Sequence, residues 1–102
     1  MSDNNNILTT EEAERKIREI LKYRYFTASP YCRIRMKERG YDDIDIELVL
    51  SKGKVKEPPE YNTKYNNWVC KVEGKVVEGD KTVVVTAIVS NNQLLCITLY
   101  SK

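Results

Sequence analysis

Four basic side chains fall within one eight-residue stretch, Arg33-Ile34-Arg35-Met36-Lys37-Glu38-Arg39-Gly40. The chain contains no histidine, so the side chain that most often acts as a general base near neutral pH is missing. Any chemistry must therefore come from Lys, Arg, Tyr, Thr or a carboxylate. A short cationic helix predicts a surface for polyanions. A solvated helix face with no partner is the alternative interpretation.

Charge is segregated along the chain although the net charge of its 102 residues is only +2. Residues 15–39 carry nine bases and two acids, a net charge of +7, whereas residues 1–14 and 40–51 each carry four acids and no bases. Such a distribution produces a local positive field. The length predicts one compact domain.

The cysteine pattern predicts no metal site and no cofactor. The three cysteines, Cys32, Cys70 and Cys96, are widely spaced among apolar neighbours, and no histidine is present to complete a zinc site. They are expected to be reduced core thiols. No apolar signal segment or membrane-spanning run occurs, which predicts a cytoplasmic protein without a membrane partner.

Helix signals occupy the first half. A polar tail over residues 1–8 is expected to be disordered. Thr9 and Glu12 form a capping-box pattern for a helix that runs to about Tyr23, and Tyr25-Phe26-Thr27 is expected to be a short extended link. Ser29-Pro30 opens a second helix, which ends at Arg39 before Gly40. A third helix begins near Asp42 or Asp43 and ends at Gly53. Its expected buried residues are Ile44, Leu48 and Val49.

Strand signals occupy the second half. Residues 54–56, 68–72, 81–90 and 93–100 are the expected strands, with a polar turn over residues 73–80 and a hairpin turn at Asn91-Asn92. The apolar strand 81–90 is expected to be central. Alternation in the last strand predicts that Leu95, Ile97 and Leu99 meet the helices and that Thr98 and Tyr100 face the open side. The fold class is therefore α+β: N-terminal helices packed on one face of a curved antiparallel β-sheet, in a single domain over residues 9–102.

These residues resemble a known bacterial family. Residues 31–53 are similar to the pattern H-A-x-x-R-M-x-E-R-G, followed by D-I-x-x-V-L-x-x-G, of a domain-of-unknown-function family. That family is similar to the RelE and MqsR toxins. The resemblance covers about residues 10–102. It implies helices on a curved antiparallel sheet, and it implies messenger RNA cleavage under the control of an antitoxin.

The resemblance carries over to some positions and not to others. Arg35 and Arg39 match the family arginines, and Lys56 matches a catalytic lysine of MqsR. Trp68 matches a strand tryptophan. At other positions the chain differs from the pattern. Tyr31 and Cys32 replace the histidine and the alanine, Val69 and Val72 replace a glutamine and a tyrosine, and Tyr100 replaces a late lysine.

Candidate roles follow from RNA cleavage without a metal, which requires a base, phosphate neutralisation and an acid. Arg35 is the expected phosphate clamp; its alternative is an ion pair with Glu38 or Asp45. The expected catalytic residues are Arg35, Lys56, Tyr31, Thr98 and Tyr100. The expected nucleic-acid-binding residues are Arg33, Lys37, Arg39, Lys54, Lys64 and Trp68. For the aromatic residues and the threonine among them, the alternative role is packing. For the strand lysines, the alternative role is solubility.

Three function classes remain open. The first is the toxin of a type II toxin–antitoxin system, a metal-independent messenger RNA endoribonuclease. Its partners would be RNA, free or on the ribosome, and a cognate antitoxin. The second is a catalytically inactive RNA- or protein-binding module of the same fold. The third is a protein-interaction domain without affinity for nucleic acid.

Overall fold

The computed structural model describes residues 7–23, 25–90 and 93–102, without the side chain of Ser90. Within them the chain forms three helices followed by a six-stranded, mostly antiparallel open sheet, which confirms the α+β class. The elements are α1 (Thr10–Tyr23), β1 (Phe26–Ala28), α2 (Pro30–Arg39), α3 (Asp43–Lys52), β2 (Lys54–Val55), β3 (Glu60–Asn62), β4 (Asn67–Lys75), β5 (Lys81–Ser90) and β6 (Gln93–Ser101). The expected Asn91-Asn92 turn and most of the expected tail lie outside the described residues. Leu8, which the tail was expected to include, packs against the core.

Helix ends lie where the capping signals predict them. The Thr9 hydroxyl accepts a hydrogen bond from the Glu12 backbone N–H at 3.1 Å, and the Glu12 carboxylate accepts one from the Thr9 N–H at 2.9 Å. Ser29 caps α2 by accepting from the Cys32 N–H. Gly40 closes α2 with a φ of 73°, a left-handed conformation that glycine adopts without steric cost. These local bonds define where α1 begins and where α2 begins and ends.

The sheet runs in the order β1-β6-β5-β4-β2, with β3 also paired to β4, so β5 is central as expected. One expectation was wrong in part: the link around Phe26 is an edge strand, paired in parallel with β6. The expected turn over residues 73–80 was also wrong in part, because β4 continues to Lys75. The actual turn is shorter and is closed by bonds from the Val76 N–H to the Asp80 carbonyl and from the Gly79 N–H to the Val76 carbonyl.

All three helices pack on one face of the sheet, and the core lies between them. On α3 the expected buried face was wrong in part: Val49 is buried as expected, but Ile44 is 63 % exposed and the other buried apolar residues are Ile46 and Leu50. The reason is Asp45, whose carboxylate caps the helix and also accepts the Val77 N–H at 2.9 Å. That bond holds Asp45 on the side of α3 that faces the core. The apolar residues on the same side of the helix are therefore the buried ones.

A β-bulge changes which residues of β6 face the helices. Val85 pairs with Thr98 but Thr86 pairs with Cys96, so Ile97 is the extra residue. Leu94, Cys96 and Leu99 therefore enter the core. The expectation that Leu95 and Ile97 join Leu99 there was wrong, because strict alternation does not survive a bulge. Leu95 faces the open side with Thr98 and Tyr100.

Candidate functional site: a lysine pocket on the open face of the sheet

The face of the sheet turned away from the helices, the open face, carries most of the strand lysines. In β4, Lys71, Glu73 and Lys75 alternate with the buried Cys70 and Val72. Because side chains alternate across a strand, these three charged groups share the open face. The register adds β2 to the same group, since Lys54 pairs with Glu73.

Five lysines converge at one end of this face. The pocket they form, the lysine pocket, has a volume of about 260 Å³. It is lined by Lys54, Lys56, Glu73, Gly74, Lys75, Lys81, Thr82 and Lys102. The lining residues comprise five lysines and one glutamate, which gives them a net charge of +4. A concave surface of one sign concentrates the field and attracts anions.

Glu73 is the acidic residue of the lysine pocket and holds two of its lysines. One carboxylate oxygen lies 3.3 Å from the Lys56 ammonium and the other lies 3.3 Å from the Lys102 ammonium. Burial acts to raise the pKa of Glu73, but the hydrogen bonds from Lys56 and Lys102 outweigh it, and the pKa is lower than usual. Glu73 is therefore an anion throughout the neutral range.

Tyr100 lies in the same row of the sheet as the pocket. The register aligns Lys54, Glu73, Val83 and Tyr100 across four adjacent strands, and the Tyr100 side chain is 38 % exposed. Thr98 lies one row along, aligned with Val85 and Lys71. The β6 bulge is what keeps both hydroxyl groups on the open face.

Arg39 connects α2 to the lysine pocket. Its guanidinium donates a hydrogen bond to the Ser101 hydroxyl at the end of β6. A neighbouring hollow is lined by Arg39 together with Lys81 and Lys102, which also line the lysine pocket. Because Glu38 and Asp80 line the same hollow, its three cations leave a net charge of +1, and Arg39 adds one cation beside the lysine pocket.

The other predicted residues of α2 lie outside the lysine pocket. Arg35 pairs with Glu38 at 3.1 Å, one of the two partners expected for its alternative role, but both residues belong to α2, so the pair does not tie two helices together. Arg33 pairs with Asp43 at the start of α3. Lys37 borders a shallow groove between α2 and α3, and Tyr31 is 59 % exposed in the first turn of α2.

Lys64 and Trp68 lie at the other end of β4, in the β3–β4 hairpin. The Lys64 ammonium lies 5.3 Å from the centre of the Tyr65 ring. Trp68 meets the Tyr61 ring edge-on, with 5.1 Å between ring centres. Because Trp68 is five residues from Glu73 along the strand, the two are about 17 Å apart. Trp68 also points to the opposite face, so the structure separates this hairpin from the lysine pocket.

Sequence reasoning found part of the pocket and missed the rest. Lys54 and Lys56 were named as candidates; Lys75, Lys81, Lys102 and Glu73 were not. The signal is present in the period-2 spacing of Lys71, Glu73 and Lys75, but the strand expected over residues 68–72 ends before Glu73 and Lys75, which fall in the expected turn. Lys81 and Lys102 carry no local signal, since only the pairing of β4, β5 and β6 brings them near.

The three cysteines are free and buried, as expected. Burial raises the pKa of Cys70 and of Cys96 to about 12. Thiols with such pKa values stay protonated and act as packing groups. Within the described residues, no helix is long and apolar enough to cross a membrane. In the same part of the chain, no group of three His, Cys, Asp or Glu side chains is arranged to hold a metal ion.

Comparison with known proteins places the site within a family. No curated protein and no solved structure matches the chain significantly. A family model described as "Domain of unknown function (DUF4258)" matches residues 29–101, well over half of the 102-residue chain. The match begins at the N-cap of α2 and includes every residue of the lysine pocket except Lys102. The chain therefore belongs to the DUF4258 family.

Proposed function

We propose that this protein is the toxin of a type II toxin–antitoxin pair, which binds RNA on its open sheet face and cleaves it without a metal ion. The observation that supports this proposal is the lysine pocket, with its net charge of +4. RNA carries one negative charge per nucleotide, so a backbone phosphate is the natural ligand for such a pocket. The open face beside it leaves room for the rest of the strand.

Cleavage at the pocket would use the ribose 2′-hydroxyl as the nucleophile. Its oxygen bonds to phosphorus, its proton leaves to a base, the bond from phosphorus to the 5′ oxygen breaks, and that oxygen takes a proton from an acid. The products are a 2′,3′-cyclic phosphate and a free 5′-hydroxyl. Lys56 and its neighbours would neutralise the phosphate and supply the acid, and the phenolate form of Tyr100, in the same row, would take the 2′ proton and become the phenol.

Thr98 and Arg39 have supporting roles in this proposal. Thr98 lies one row from Tyr100 on the same face, where its hydroxyl can donate to a phosphate oxygen. Arg39 borders the hollow that adjoins the lysine pocket, so it would hold the next phosphate along the strand. An antitoxin would act by covering the open face, where Val69, Val85 and Leu95 are half-buried beside the cations.

The test is cleavage of a labelled single-stranded RNA by the purified protein in the presence of EDTA. We expect products that end in a 2′,3′-cyclic phosphate, and we expect little product from the Lys54→Gln/Lys56→Gln variant. The matched control is Lys16→Gln/Lys22→Gln, which removes the same charge from α1. Equal product from the wild-type protein and the pocket variant would contradict the proposal.

The second candidate is RNA binding without cleavage. The observation that favours it is the position of Arg35 and Tyr31: Arg35 is paired with Glu38, and Tyr31 lies exposed on α2 outside the pocket. Of the five expected catalytic side chains, Lys56 alone lines the lysine pocket, whereas Tyr100 and Thr98 lie beside it on the open face. RNA that is retained intact, with affinity falling as salt rises, would support this candidate. Absence of binding at low salt would support a protein-interaction domain instead.

A further inference from the structure

Glu73 occupies the position in the lysine pocket where a bound anion would lie. It bridges Lys56 and Lys102, with each carboxylate oxygen 3.3 Å from one ammonium group. The two lysines come from different parts of the chain, one just beyond β2 and the other just after β6. A single anionic group therefore joins the two sides of the pocket, as a phosphate would do.

The carboxylate is well shielded from solvent while its two lysines are not. The Glu73 side chain is only 18 % exposed, whereas those of Lys56 and Lys102 are 64 % and 52 % exposed. The ammonium groups are thus free to turn toward an incoming anion, but the same groups satisfy Glu73. An anion that takes them leaves a shielded carboxylate without its partners, at a cost in free energy.

We propose that Glu73 is an internal competitor for the phosphate, so that the carboxylate must give up Lys56 and Lys102 before the lysine pocket binds its ligand. This inference rests on the proposed function, because it takes the pocket to be the phosphate site. It assigns Glu73 the role of setting the affinity of the pocket. The remaining pocket cations, Lys54, Lys75 and Lys81, attract the anion, and exchange of the two bridging lysines decides how tightly it is held.

The Glu73→Gln variant tests the competition. Glutamine keeps the size and one carbonyl acceptor but removes the charge, so the lysines are released to the ligand. The matched control is Glu57→Gln: Glu57 pairs with Lys71 at 3.6 Å and lies outside the lysine pocket. Both variants raise the net charge by one. A simple electrostatic gain would therefore affect them alike, whereas competition affects only Glu73→Gln.

The measurement is the dissociation constant for a short 2′-O-methyl RNA, which binds but has no 2′-hydroxyl to react. We expect Glu73→Gln to bind at least about fivefold more tightly than the wild type, in the range of ordinary coupling between sites. Glu57→Gln is expected to stay within about twofold of the wild type, in line with an exposed ion pair. Equal affinity for wild type and Glu73→Gln overturns the inference and leaves the proposed function standing. Absence of binding by both overturns the two together.

A second measurement uses the unaltered protein and does not depend on how a variant folds. NMR titration of the Glu73 carboxyl group is recorded with and without saturating inorganic phosphate. Coupling between sites is reciprocal, so phosphate that draws Lys56 and Lys102 away must raise the pKa of Glu73 toward its ordinary value. The titratable groups around Glu73 are the pocket lysines Lys54, Lys56, Lys75, Lys81 and Lys102, with Tyr100 in the same row of the sheet. An unchanged Glu73 pKa when phosphate is bound would overturn the inference.

Discussion

The basic helix α2 and the lysine pocket are both cationic, and they differ in what their charges contact. In α2, Arg33 pairs with Asp43 and Arg35 pairs with Glu38. In the lysine pocket, Glu73 is the one acid among the lining residues and pairs with Lys56 and Lys102, while three further lysines line the pocket. The basic helix α2 has the more closely spaced cations in the sequence, but in the folded protein more of its charge is neutralised than in the lysine pocket.

The difference has a simple physical origin. The cations of α2 pair with acids that lie near them in the sequence, because the segment that follows α2 is the acidic start of α3. The pocket lysines come from four separate segments of the chain, and sheet pairing brings them together without an equal number of acids. A local excess of cations after folding is a better indicator of an anion site than a cationic run in the sequence.

The largest expected effect comes from disturbing the backbone that supports the pocket. A Cβ on Gly53 would lie 2.5 Å from the Glu73 carbonyl oxygen and 2.5 Å from that of Val49, both backbone atoms. We expect Gly53→Ala to lower the free energy of unfolding by about 3 kcal/mol, the upper part of the range for overpacking. Denaturant unfolding measures it. The control is Gly79→Ala, where a Cβ meets nothing and the φ of 98° costs about 1–2 kcal/mol. Equal losses for the two variants would contradict the role of close packing.

A smaller effect is expected when pocket lysines that the sequence did not single out are removed. Lys81→Gln/Lys102→Gln should weaken binding of a 2′-O-methyl RNA on the order of tenfold and reduce its salt dependence, since each lost phosphate contact lowers the number of released counterions. Arg33→Gln/Arg35→Gln removes the same charge from α2 and should have a clearly smaller effect. Fluorescence anisotropy at several salt concentrations measures both. A larger loss from the arginine pair would reverse the comparison between the two regions.

Removing the acids that pair with the arginines of α2 should make that helix bind anions more as the lysine pocket does. Asp43→Asn and Glu38→Gln remove the acids that hold Arg33 and Arg35. We expect the double variant to bind RNA about two- to threefold more tightly, because two exposed cations become available to phosphates. Glu57→Gln/Glu60→Gln, which removes two acids elsewhere, is the control for the change in net charge. An identical gain from that control would attribute the effect to total charge alone.

The smallest expected effect is on stability. The Arg33–Asp43 pair is exposed on both sides, at 48 % and 45 %, and exposed ion pairs contribute about 0.2–1 kcal/mol. Arg33→Gln should therefore lower the free energy of unfolding by no more than about 1 kcal/mol, measured by denaturant unfolding. A double-mutant cycle with Asp43→Asn isolates the pair. A coupling above that range would mean that this ion pair holds α2 and α3 together.

Much of the fold was readable from local signals. The caps at Thr9, Ser29 and Asp42 and the stop at Gly40 predicted the three helices, because capping bonds join residues three apart. The apolar composition of residues 81–90 predicted that this strand is central in the sheet. The parallel edge strand at Phe26 and the bulge at Ile97 were not readable, since each depends on a partner strand far away in the sequence.

The candidate site was readable only in part. Lys54 and Lys56 stood out because they alternate on a short strand, and a resemblance pointed to Lys56. Arg35 also stood out, yet its partner Glu38 lies one helical turn away, and the pair leaves the guanidinium outside the pocket. Glu73 had no visible role, because its two lysines lie 17 residues before it and 29 residues after it in the chain.

The sequence by itself determined the three helices, four of the six strands described and the class of the fold, because hydrophobic periodicity and capping act over a few residues. Only the tertiary structure decided which cations would face a common hollow and which would be neutralised. The physical reason is that Coulomb interactions depend on distance in space. Pairing of β4 with β5 and of β5 with β6 sets that distance for Lys75, Lys81 and Lys102, and the position of α3 beside α2 sets it for Arg33.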